Sequence, residues 1–212
     1  MDQDLYTFLQ KKNLHLEKLD TASQNDRVDE EILSLLDLLN SFKEYYTTSS
    51  CSGRVILLQL PEIGDKKHAE FLGKWHQPFS LREFQHALDE YTQGMLWMYA
   101  QSPILHVVCS DLIAAETLIK LAIGSGWKNS CIRMPSQHFV VELASTERID
   151  APIGRAGIVL LKKSSLEAYH LIAIQLLQRC SQKISRLSKA LDHLLQTKDP
   201  PKTEITKHSL DK

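Results

Sequence analysis

No run in this chain approaches the ~20 consecutive apolar residues that a membrane-spanning helix requires. The opening stretch MDQDLYTFLQKK starts acidic and has no unbroken apolar segment, which predicts no secretory signal. Cysteine is sparse. Cys51, Cys109, Cys131 and Cys180 stand far apart and none is in CxxC spacing, so a zinc knuckle or a thioredoxin-type motif is disfavoured. Isolated cysteines suit a reducing cytoplasm, and Cys109 and Cys180 taken alone read as small buried hydrophobes. Eight Gly and seven Pro are too few for a low-complexity chain. An excess of either charge is also lacking: the formal net charge is −1. A nucleic-acid partner would therefore have to use a local basic patch.

The common catalytic signatures are missing as well. There is no GxxxxGK[ST] phosphate loop, no GxGxxG after a strand, no HExxH and no GxSxG. AIGSGWKN carries only a lone GxG at a helix end, where a C-capping glycine explains it. Nucleotide hydrolysis, a Rossmann cofactor site, zinc-protease chemistry and the serine-hydrolase elbow are all disfavoured.

What is present is an ordinary globular composition. Hydrophobic residues make up 43% and charged residues 24% of 212. That length suits one sizeable domain, taken as residues 1–197, followed by a polar, Pro-bearing tail (198–212) expected to be disordered. Helical spacing of Leu5, Phe8, Leu9, Leu16 and Leu19 predicts a helix over 3–19. Asp26 is the expected N-cap of a second helix striped by Val28, Ile32, Leu35, Leu36 and Leu39, with Asp29, Glu30 and Glu31 in its first turn. VILLQL, AEFLGKWH, GMLWMYA, ILHVVCS, CIRMP, HFVVELAS and GIVLL read as strands. SLREFQHALDEYT opens on a Ser80/Glu83 capping box, and Asp111 caps a helix ending near Gly124 or Gly126. From Leu166 to Leu194 a three-or-four spacing predicts one long amphipathic helix. The order predicts an α+β fold with a mixed, largely antiparallel sheet packed with helices.

YYTTSSCSGR, residues 45–54, interrupts this pattern. Its hydroxyls and backbone N–H groups could form a polar nest in a turn. Gly53 permits close approach, and Arg54 can fork onto a carboxylate or phosphate. A plain Ser/Thr-rich connector is the competing reading. Trp75 and His76 end a strand, either as an anchor with a surface histidine or as a base-stacking ring with a proton-handling partner. His106 inside ILHVVC reads first as a satisfied core histidine, and Trp127 as either a stacking or a core ring.

Several of these stretches together resemble one family. VDEEILSLLDLLNSFKEYYTTSSCSGRVILL, KWH, SPILHVVCSDLIAAETLIKLAIGSGWKNSCI and IDAPIGRAGIVLL are similar, in order and across about residues 26–175, to the tRNA wybutosine-synthesising methyltransferases (wybutosine-synthesising protein 3). The resemblance implies a cytoplasmic S-adenosylmethionine-dependent enzyme without a Rossmann fold. Its expected reaction is methylation of N-4 of 7-aminocarboxypropyl-demethylwyosine beside the anticodon of tRNA-Phe. A non-catalytic tRNA-binding or scaffold protein is the alternative. Carried onto this chain, the motif positions are Thr47, Ser49, Cys51, Ser52, Gly53 and Arg54; Trp75 and His76; Leu105, His106, Val107, Cys109, Ala115 and Leu118; and Ser125, Gly126, Asn129 and Ser130. The expected catalytic group is His76 as proton acceptor with Arg54, Ser49 and Cys51. The expected cofactor set is Ser49, Ser50, Ser52, Gly53, His106, Cys109, Ser125, Gly126, Asn129 and Ser130. Trp75 is expected to stack on the base. Lys66, Lys67, Lys74, Arg133 and Arg155, with Lys162 and Lys163, are expected to meet phosphates. No metal is expected.

Overall fold

The computed structural model describes residues 3–65, 67–133 and 139–198. Lys66 and the tail beyond residue 198 lie outside them.

Helix α1 (Gln3–Gln24) runs beyond the predicted end. Asp26 is not a cap: it sits in the left-handed region at φ 53°, in the turn between helices. Asp29 is the N-cap of α2 (Glu30–Ser41), yet its carboxylate makes no bond to its own helix. The predicted stripe holds, with Ile32, Leu35, Leu36 and Leu39 buried.

The stretch expected to turn is a strand. β1 spans Tyr45–Cys51, and β2 (Arg54–Leu60) follows after only Ser52 and Gly53. Paired tyrosines and β-branched threonines suit a pleated surface, and this preference outweighs the turn tendency of the serines. β3 (Glu70–Trp75) returns along β2; α3 (Leu81–Asp89) follows, with the Ser80/Glu83 capping box in place. Then come β4 (Met95–Gln101), β5 (Ile104–Cys109) and α4 (Leu112–Gly124), capped by Asp111. β6 (Cys131–Arg133), β7 (Phe139–Ala144), β8 (Ile149–Arg155) and β9 (Ile158–Val159) precede α5 (Lys163–Lys198). The sequence pattern does not announce β8, because Pro152 interrupts it. Pro152 is tolerated where the edge of β8 lies open beyond the two residues paired to β9.

The strands form two sheets, ordered β1-β5-β7-β6 and β3-β2-β4-β8-β9. Every strand pair described is antiparallel. The expected antiparallel pairing is thus divided between two sheets, because β1–β2 and β4–β5 each cross from one to the other within two residues. Cys51 opposes Ile104, and Arg54 opposes Gln101. The ladder lapses only over Ser52-Gly53 and Ser102-Pro103. Gly53 has φ 96°, and a Cβ there would lie 3.0 Å from Cys180 Sγ, 3.0 Å from Gln101 O and 3.2 Å from Pro103 N. Only glycine fits that bend.

Each sheet has its own core. Leu105, Val107, Val141 and Leu143 meet α2, α4 and the C-terminal half of α5 through Leu36, Leu118 and Leu187, around the fully buried Trp127. Val55, Leu57, Leu96 and Met98 meet Phe84 and Leu88 of α3 and Ala173 and Leu177 of α5. At 36 residues, α5 is about 54 Å long, enough to serve both cores. α1 packs on the other face of the first sheet through Phe8, Tyr46 and Val108. No described helix is long and apolar enough to cross a membrane.

Candidate active site

The bend between β1 and β2 gathers polar groups from three separate elements. Asp29 Oδ2 accepts from the Ser52 backbone N–H at 2.7 Å and from Ser52 Oγ at 3.0 Å. The same oxygen meets His76 Nδ1 at 3.2 Å. One ligand atom each from Asp29, Cys51 and His76 lie within 4.8 Å of one another. Asp29 therefore serves the site instead of capping α2. The donors are close enough to ligate one cation, but a metal would have to displace the hydrogen that Asp29 and His76 share.

The electrostatics follow from that pairing. Burial alone would raise the Asp29 carboxyl, but the hydrogen bonds from His76 and Ser52 outweigh it and hold it well below the usual carboxylate range. His76 moves the other way. Its hydrogen bonds to Asp29 and then Cys51, against a smaller loss from burial, raise it to about 9. The pairing with Asp29 favours the protonated ring. A ring held in that form has no lone pair to offer, which counts against the expectation of His76 as proton acceptor.

A second polar chain crosses the first sheet. Ser49 Oγ lies 2.8 Å from His106 Nδ1, and His106 Nε2 lies 3.0 Å from Glu142 Oε2. Arg133 holds Glu142 through Nε at 2.8 Å and Nη2 at 2.6 Å. The Glu142 carboxyl is lowered first by Arg133, against burial and with help from His106. In the neutral ring, a hydrogen donated from Nε2 to the carboxylate leaves the Nδ1 lone pair facing the Ser49 hydroxyl. His106 is not a core histidine; β5 alternation turns it away from Leu105 and Val107. Neither Asp29 nor Glu142 was singled out as a site residue from the sequence.

Other expected residues lie elsewhere. Cys109 is fully buried in the first core, and burial pushes its thiol up to about 12; it offers a ligand nothing. Ser125 and Gly126 end α4 against α5, with Lys183 over Gly126. Trp127 is a core ring whose Nε1 donates to Lys183 O at 3.0 Å. Asn129 Nδ2 donates to Ser145 O at 3.2 Å, tying this loop to the one after β7, and Ser130 Oγ donates to Trp127 O at 2.7 Å within its own loop. The loop after β7 in turn meets the β4–β5 crossing, where Ser145 N donates to Pro103 O at 3.4 Å. Arg54 Nε donates to Gln101 Oε1 at 2.6 Å, at the first register of β2. Ser50 opposes Leu105 on β1.

The expectation of Trp75 as a base-stacking ring meets a competing partner in the fold. It stacks on Phe79 with centroids 4.1 Å apart and covers Gly73, where a Cβ would fall 2.0 Å from the indole. One face is thus occupied within the fold, and the ring is half-buried. Arg133 is committed to Glu142, which weakens it as a phosphate contact. Lys67, Lys74, Arg155, Lys162 and Lys163 carry no ion pair among the described residues and are exposed.

Residues 10–193 match the family model described as Methyltransferase TYW3. A Thermococcus sibiricus protein named tRNA(Phe) 7-((3-amino-3-carboxypropyl)-4-demethylwyosine(37)-N(4))-methyltransferase is 41% identical over 187 residues, covering 88% of this chain and 94% of that one. A Methanocaldococcus jannaschii protein of the same name is 35% identical, covering 88% and 98%. A solved protein from Pyrococcus horikoshii superposes with a TM-score of 0.85 at 38% identity, covering 88% of this chain and 97% of that one.

Proposed function

The chain belongs to the Methyltransferase TYW3 family, and from that premise we propose that it is a tRNA methyltransferase using S-adenosylmethionine. Its substrate is the 7-(3-amino-3-carboxypropyl)-4-demethylwyosine beside the anticodon of tRNA(Phe), and it methylates N-4. One observation carries the reading: relatives with this activity in their name align over nearly their whole length with this chain, and the matched segment contains both polar groups, from Asp29 to Glu142.

The reaction forms a C–N bond, breaks a C–S bond and releases the N-4 proton. S-Adenosylmethionine, when bound, supplies an electrophilic methyl on a sulfonium. The donor set at the bend fits the charged amino-acid end of that molecule. The His76 imidazolium and the Arg54 guanidinium suit a carboxylate, while Asp29 and the hydroxyls of Ser49, Ser50 and Ser52 accept from an ammonium. Arg54 suits equally the carboxylate of the substrate's aminocarboxypropyl chain. Asp29 orients His76 and keeps it charged. Cys51 bonds to His76 and forms no adduct, since displacement by nitrogen needs none. The N-4 proton goes to the Ser49–His106 pair, with Glu142 fixing the His106 tautomer. Lys67, Lys74 and Arg155 meet phosphates.

The test is calorimetry with S-adenosylmethionine, alongside methyl transfer to tRNA(Phe) carrying the demethylated base. Arg54→Ala should lower transfer roughly 10²-fold, about the cost of leaving a buried charged partner unpaired, with an unchanged circular dichroism spectrum. Failure of the folded wild-type protein to bind the methyl donor, with substrate tRNA present, would overturn the reading.

A further inference from the structure

The second sheet has one face that no described helix covers. α3 and α5 pack on the side bearing Val55, Leu57, Leu96 and Met98. Strand alternation sends the intervening residues to the opposite side. Register then orders them in rows across the strands. Arg54 and Gln101 form the first row. Lys74, Ile56, Tyr99 and Asp150 form the second, and Phe71, Leu58, Trp97 and Pro152 the third. Arg155 and Ile158 lie in the fourth, beside Met95.

Three of these residues are aromatic. Trp97 and Tyr99 are nearly parallel, at 11° with centroids 5.8 Å apart, and Phe71 is 59% exposed. Three are basic: Arg54, Lys74 and Arg155. The acid among them, Asp150, already accepts from Arg148 Nε at 2.6 Å. The face is therefore positive in a chain whose formal net charge is −1. The first row also lies at the catalytic end. Arg54 follows Ser52 by two residues, at most about 7 Å along the chain, and His76 directly follows the last residue of β3.

We propose that this face is the platform for single-stranded RNA. Bases flanking the target nucleotide stack on Tyr99, Trp97 and Phe71, and their phosphates meet Lys74 and Arg155. The inference rests on the tRNA reading above and names the surface that reading lacks, now that Trp75 is committed to Phe79. An apolar sheet face alone would suit a protein partner equally. Interleaved cations and a neutralised acid favour a polyanion, and an exposed Phe71 beside the part-exposed Trp97 and Tyr99 favours unpaired bases over a duplex.

The experiment uses the full chain, a fluorescent tRNA(Phe) anticodon stem-loop as probe, and the variants Trp97→Ala, Tyr99→Ala and Phe71→Ala. Each should weaken RNA binding roughly 5- to 150-fold while leaving S-adenosylmethionine affinity within twofold of wild type. Lys74→Gln with Arg155→Gln should flatten the salt dependence of binding. Phe71 is exposed on an edge strand, so its variant keeps the test valid if Trp97→Ala unfolds. Unchanged RNA affinity in Phe71→Ala and Tyr99→Ala, with wild-type binding intact, overturns the platform and leaves the methyltransferase reading standing. A wild-type chain that binds no RNA overturns both. Sedimentation showing a dimer that Phe71→Ala dissociates, without loss of RNA affinity, assigns the face to a second copy and also overturns it.

Discussion

At the residue scale, the candidate site turns on the pairing of His76 with Asp29. His76 is raised to about 9 by Asp29 and Cys51. Its stabilising effect is fully present below the unfolded value near 6.5 and is lost as pH rises through about 9. Urea unfolding of the wild type from pH 6 to 10 should show a loss on the order of 1–3 kcal/mol across that window. Asp29→Asn should be less stable at pH 7 and nearly flat over the same range; an equal pH slope in the variant would exclude the pair as its source. His106, beside Ser49, is the proposed acceptor of the N-4 proton. Ser49→Ala and His106→Gln should each slow methyl transfer roughly 10²-fold, and the double variant should be no slower, because a relay fails as a unit. Multiplying losses would show that the two side chains act separately. The sequence points to Ser49, His76 and His106 but not to their states. Asp29 is 47 positions from His76, and Glu142 is 36 from His106. Only the folded sheets reveal those partners.

At the element scale, local signals served best where they were self-contained. The Ser80/Glu83 capping box and the Asp111 cap lie within four residues of what they bond, and both are read directly from the chain. YYTTSSCSGR misleads because serine and glycine suggest a turn, while tyrosine and threonine favour a strand. Pairing with β5 settles the contest through residues some 58 positions away, as in the Thr48 Oγ1 bond to His106 O. The turn itself shrinks to Ser52-Gly53. Gly53→Ala tests that bend. The positive φ and the 3.0 Å approaches to Cys180 Sγ and Gln101 O should cost roughly 1–3 kcal/mol. Adding Cys180→Ala should recover only part, because the Gln101 carbonyl is backbone and cannot yield. Full recovery in thermal melts would place the whole strain at the thiol.

At the scale of the whole molecule, two sheets with separate cores are held by three things: the β1–β2 crossing, the β4–β5 crossing and α5. The long apolar stripe of α5 is legible in the sequence, but not that its halves serve different cores, since Ala173 and Leu177 look no different in pattern from Leu187 and Leu191. At the crossover between the cores, Lys183 Nζ lies 2.7 Å from the buried Glu147 Oε1, pinning α5 to the loop after β7. If these ties make one cooperative unit, damage to one core must be felt in the other. Leu187 is fully buried in the first core, so Leu187→Ala should cost about 2–5 kcal/mol. Hydrogen exchange under native conditions should then show the same loss of protection at Val107 in the first sheet and at Leu57 in the second. A loss confined to Val107 would mean that the two cores open independently. The groups proposed to hold the methyl donor would then sit on a hinge between two bodies, and methyl-donor affinity would fall in Leu187→Ala without any change to Asp29, Ser52 or His76.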